Sequence, residues 1–169
     1  MRKIILLAAL LIMAVCAHAQ NVQIDGRLQP LLNQFLDICK EYNVDYHDKL
    51  FRLESIDIVS TLTTSEHAST LGMLRRDENG EVVAIDISWM AQLDEEILKI
   101  VAFHEFAHYF LEYAKHTCDD CGEIMSVVNT SYFDIARDWE NQVKILFNNA
   151  PVLDERYGTV VASRKYQYE

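Results

Sequence analysis

The chain has 169 residues, half of them hydrophobic, with 26 acidic side chains against 15 basic ones and a formal charge of −11. That balance leaves no basic surface to hold nucleic acid or an anionic membrane, and the length suits one domain with a real core better than two.

The first nineteen residues read as an export signal. Arg2 and Lys3 form a basic start, Ile4 to Val15 an apolar run of twelve, and Ala17-His18-Ala19 a cleavage motif before Gln20. Twelve apolar residues fall short of the roughly twenty that cross a bilayer, so no transmembrane helix is expected. Lipid attachment at Cys16 is the less favoured alternative, because Val15 is bulky where such signals want a small residue. The mature domain then runs over residues 20–169. It keeps all 26 acids, loses two of the 15 bases, and its charge moves to −13. An exported monomer in the periplasm or the extracellular space is the expectation.

Pro30 opens the first predicted helix, in which Leu31, Leu32, Phe35, Cys39 and Tyr42 recur at three- and four-residue spacing. The period then changes. Ser55 to Leu62 and Leu71 to Arg75 read as strands, and Asp77-Glu78-Asn79-Gly80 as a turn into an alternating, β-branched strand over Glu81 to Ser88. Asp94 caps a second long helix, with Glu95 and Glu96 in its first turn, expected to continue to about Ala114. Ile100, Phe103, Ala107, Phe110, Leu111 and Ala114 form its apolar stripe. After a loop over Thr117 to Thr130, a last helix is predicted from about Ser131 to Asn148, with Ile135, Trp139, Val143 and Leu146 on one face, stopped by Pro151. The tail from Gly158 is weakly strand-like. The order predicts an α+β domain with a small mixed sheet, a cleft beside the second long helix and a C-terminal helix.

That helix carries His104-Glu105-Phe106-Ala107-His108. Histidines at i and i+4 project from one face, so their ring nitrogens can converge on one metal ion. Glu105 points about 100° away, where its carboxylate reaches a water on the metal and serves as general base. A catalytic zinc takes three protein ligands and leaves one position open. Glu112 sits about 12 Å along a continuous helix from His104, too far to close the same ion, and is expected to pair with Lys115 or to hydrate the helix end. His116 reaches the metal if the helix breaks first.

HEFAHYFLEYAKH, followed by Thr117 to Gly122 and then Glu123-Ile124-Met125, resembles the metzincin arrangement of zinc peptidases, a third histidine and a methionine turn after HExxH. The stretch Ile85-Asp86-Ile87-Ser88-Trp89 before the helix, with the Ile-Met pair after the third histidine, is also similar to small exported metallopeptidase-like proteins of Bacteroidetes-type bacteria. The resemblance covers roughly Val82 to Phe147 and implies a zincin-like domain. It implies zinc on His104, His108 and His116, Glu105 as base and Met125 as the hydrophobic floor of the site. Two departures stand out. Metzincins place the third histidine ten residues after the first, with a glycine at the seventh; here the offset is twelve and Leu111 holds the glycine's place. Glu140 is the alternative ligand, as in metallopeptidases that draw a glutamate from a second helix. Tyr132 or Tyr109 is a candidate oxyanion stabiliser.

Three cysteines lie in the mature chain. Cys118 and Cys121, separated by two aspartates, can close a small disulfide, and Cys39 reads as a buried free thiol. The expected activity is zinc-dependent hydrolysis of peptide bonds in a peptide or protein substrate. Val82 to Ser88 is read as the edge strand that pairs with the substrate backbone. The competing expectation is a secreted zinc- or protein-binding module on the same fold, without turnover.

Overall fold

The computed structural model describes residues 22–62, 70–127 and 132–153; the stretch read as an export signal, Cys16, the tail from Gly158 and the predicted start of the last helix at Ser131 lie outside them. Described in chain order, the elements are strand β1 (Gln23–Ile24), helix α1 (Gln29–Glu41), helix α2 (His47–Arg52), strands β2 (Ser55–Val59), β3 (Gly72–Arg76) and β4 (Val82–Ser88), a 3-10 segment (Trp89–Leu93), and helices α3 (Glu95–Phe110), α4 (Tyr132–Arg137) and α5 (Trp139–Asn148). They form one small α+β domain around a four-stranded mixed sheet.

The strand order is β1-β2-β4-β3, with β1, β2 and β4 parallel and β3 antiparallel to β4. The strand expected at the edge, β4, is therefore interior, and the edge beside α3 is β3. Composition gives the reason: β4 is buried at five of its seven positions, as an interior strand reads, whereas β3 carries Met73, Arg75 and Arg76 outward. Asp86, buried at 7 % exposure on β4, is met by Nε of Arg75 across the ladder at 3.1 Å.

Asp94 caps α3 as its sequence predicts, Oδ1 accepting from the amides of Glu96 at 2.9 Å and Ile97 at 3.1 Å. The apolar surface of α3 is broader than a stripe. Leu98, Val101, Ala102 and Phe106 are buried as well as Ile100, Phe103, Ala107 and Phe110, so the helix is central, with α1 and α4 packed on it. Phe35 of α1 is the hub, its ring 5.2 Å from Phe103, 5.5 Å from Phe106 and 5.2 Å from Phe147. Phe103 and Lys99 both meet the Trp139 ring, fixing α5 on the same helix.

The helix ends at Phe110, one turn earlier than predicted, and Ala114 is exposed. Glu112 adopts a left-handed conformation with φ of 65°, which costs a non-glycine residue about 1 kcal/mol. Lys49 of α2 secures that turn. Its ammonium donates to the carbonyls of Tyr109 and Phe110 and meets the Glu112 carboxylate at 2.5 Å. Helix-end carbonyls without an internal partner attract such a cation, and Lys49, not Lys115, is the partner of Glu112. The last predicted helix is divided at Asp138 into α4 and α5.

Candidate metal centre

The early helix end is what lets the chain return His116 to the two helical histidines. After the Glu112 turn, Tyr113 is buried and its hydroxyl donates to the Leu146 carbonyl at 2.8 Å, anchoring the return to α5. The Nε2 atoms of His104 and His116 lie 3.2 Å apart, those of His104 and His108 3.1 Å, and those of His108 and His116 3.4 Å. A tetrahedral metal ion bound to imidazole nitrogens at about 2.0–2.1 Å would hold them about 3.3–3.4 Å apart. The triangle therefore has the dimensions of a three-nitrogen metal site, and the three histidines lie close enough to bind one ion.

The remaining ring nitrogens explain the orientation. Nδ1 of His104 lies 2.7 Å from the Ile124 carbonyl, and Nδ1 of His108 lies 2.5 Å from the Tyr113 carbonyl. A carbonyl only accepts, so each Nδ1 carries the proton and each Nε2 turns its lone pair to the common centre. Burial, opposed by the Ile124 bond and helped by His108 and His116, brings His104 down to about 4, and burial also lowers His116. Neutral imidazole is the ligating form.

Glu105 projects from the adjoining face of α3 with 6 % of its surface exposed, and burial pushes its carboxyl up to about 8. A cation held by the neighbouring imidazoles would oppose that rise. The carboxylate lies against Gly72, the first residue of β3. Ser88 donates its amide to the Leu71 carbonyl, and Gly72 pairs with Ile87 in register. Antiparallel alternation then turns the amide and carbonyl of Gly72 and Leu74 away from β4, to the outer edge of the sheet among the described residues.

The loop after His116 is folded upon itself. The amide of Thr117 donates to the Met125 carbonyl at 3.0 Å, that of Val127 to the Cys118 carbonyl at 3.0 Å, and Cys118 and Cys121 are joined in a disulfide with Cα atoms 5.9 Å apart. Ser126, buried, places its hydroxyl near both sulfurs. Ile124 and Met125 are buried in the core, so one short segment supplies a histidine, the carbonyl that orients His104 and an apolar anchor.

Other candidates fall elsewhere. Glu140 is exposed in the first turn of α5 and is not among the residues whose ligand atoms converge. Tyr109 donates its hydroxyl to the Lys49 carbonyl at 2.7 Å. Tyr132 opens α4 with its ring against the core, where burial raises its phenol. Sequence reasoning missed the two orienting carbonyls, which carry no residue signature, and Lys49. It also passed over Gly72, although a glycine inside a strand signals a close approach. Cys39 is the buried free thiol expected. Among the described residues no helix is long and apolar enough to cross a membrane. In comparison with known proteins, no family model matches the chain, and neither a curated protein nor a solved structure does.

Proposed function

We propose that the protein is an exported zinc-dependent peptidase of the zincin type. The observation that carries this reading is the triangle of Nε2 atoms 3.1–3.4 Å apart with the buried Glu105 carboxyl on the adjoining face of the same helix. Three neutral imidazoles suit zinc, which takes three protein ligands in its catalytic sites. When bound, zinc supplies Lewis acidity that polarises a carbonyl and acidifies a water.

The chain's own residues do the rest. Ile124 and Tyr113 hold the His104 and His108 rings through Nδ1. Glu105 accepts a proton from the attacking water at its carboxylate and passes it to the leaving amine, work that favours a base titrating near neutrality. Its burial is consistent with that tuning. The outward peptide groups of Gly72 and Leu74 offer hydrogen bonds to an extended substrate backbone. Such pairing selects conformation over side chain and suits a protein or peptide substrate.

The test is Glu105→Gln, assayed on a denatured generic protein with and without a chelator. The expected outcome is unchanged zinc content with turnover lowered about 10²–10⁴-fold. Retained hydrolysis would remove Glu105 from the mechanism. A zinc-loaded wild-type chain that cleaves no substrate of a broad peptide library would instead favour the binding module.

A further inference from the structure

Gly72 lies at the start of β3 with an extended backbone outside the left-handed region, so its own conformation does not call for glycine. Inside a strand glycine costs stability, and it stands where another group comes close. The group here is Glu105. A Cβ added to Gly72 would stand 2.4 Å from Cγ and Oε1 of Glu105 and 2.6 Å from its Cδ, against the roughly 3.5–4.0 Å at which carbon atoms pack best. At Gly26, Gly80 and Gly122 an added Cβ meets nothing within 4 Å.

We infer that Gly72 is a positioning residue for Glu105: the side chain it lacks is the space in which the carboxylate stands, between the edge strand and α3. The glutamate has little room to yield. It is itself only 6 % exposed, so the carboxylate can yield to a side chain at Gly72 only by moving within a buried site. The same glycine turns its amide and carbonyl away from β4, to the outer edge of the sheet among the described residues. One residue thus sets the base against the strand that would carry the substrate backbone, and a side chain there would shift one relative to the other. The catalytic part of this inference rests on the peptidase reading; the packing part stands without it.

A double-mutant cycle separates the two. Gly72→Ala, Glu105→Ala and the double variant are melted beside the wild type, zinc-loaded and chelated. With Glu105 present, Gly72→Ala is expected to lower Tm by roughly 4–8 °C. With Glu105 removed, it should leave Tm unchanged or raise it, as alanine does at an unstrained glycine. Equal shifts in both backgrounds would overturn the inference. If Gly72→Ala alone does not fold, a folded double variant supports the coupling and an unfolded one overturns it.

The second readout is kinetic. Gly72→Ala is expected to lower kcat at least tenfold while zinc affinity stays within about twofold. Unchanged kcat beside a strong melting coupling would overturn the positioning role. A wild type that turns over no substrate would defeat the peptidase reading, and the melting cycle would still decide whether Gly72 makes room for Glu105.

Discussion

Cys39 lies at 0 % exposure on the inner face of α1, and burial, only partly offset by Lys49, pushes its thiol up to about 12. The ordinary value is 9.0, so the neutral thiol is the folded form at every physiological pH. Because the folded value is the higher one, this group costs no stability below about pH 9, and stability falls as pH climbs from there through 12. Native protein at pH 8 should resist iodoacetamide at Cys39 and take up one label when unfolded in denaturant with the disulfide intact, as mass spectrometry would read. Rapid stoichiometric labelling of the folded chain would mean that the core around Phe35 opens locally. Burial acts on His104 in the opposite direction, keeping its ring neutral and ready to bind a cation.

At the scale of elements, the candidate metal centre is assembled from a helix and a loop. His104 and His108 are held by α3, whereas His116 and the Ile124 carbonyl come from the residues that flank the Cys118–Cys121 disulfide on either side. Closing a four-residue loop removes about 2 kcal/mol of chain entropy from the unlinked state. If all of it served to order this segment, metal affinity would gain about 30-fold. The Cys118→Ser, Cys121→Ser double variant is therefore expected to bind zinc about 10- to 30-fold more weakly in competition with a chromogenic chelator. Unchanged affinity would show that burial of Ile124 and Met125 orders the loop by itself. Cys121 is exposed, so reductant should reach the bridge in the folded protein and produce the same weakening.

Across the whole molecule, the three histidines come together only when the chain is folded, with α2 fastened to the C-terminal end of α3, α5 to Tyr113 and the loop to His104. Metal bound there would be linked to global stability: saturation at 100 times Kd would add about 2.7 kcal/mol, and at 1,000 times about 4.1. For a domain of this size that is a Tm rise of roughly 5–16 °C. Zinc titrated into chelator-treated protein should reproduce that rise, and His116→Ala should abolish most of it. A flat melting temperature with zinc demonstrably bound would place the ion outside this site.

The sequence by itself determined the helix that carries the site, its Asp94 cap, the convergence of His104 and His108 and the α+β class, because helical spacing, caps and strand alternation are local properties of the chain. It also marked His116, Cys118–Cys121 and the buried Cys39 as candidates. Tertiary structure alone decided which strand is the edge, where α3 ends, and that Lys49 and not Lys115 meets Glu112. The left-handed turn falls on Glu112, one residue beyond Leu111, because Lys49 and the buried Tyr113 hold the chain there. The orienting carbonyls of Ile124 and Tyr113 and the contact of Gly72 with Glu105 belong to the same class. They depend on groups distant in sequence or on backbone atoms common to every residue; a glycine inside a strand signals a close approach but not which residue it meets, and no local pattern encodes the rest.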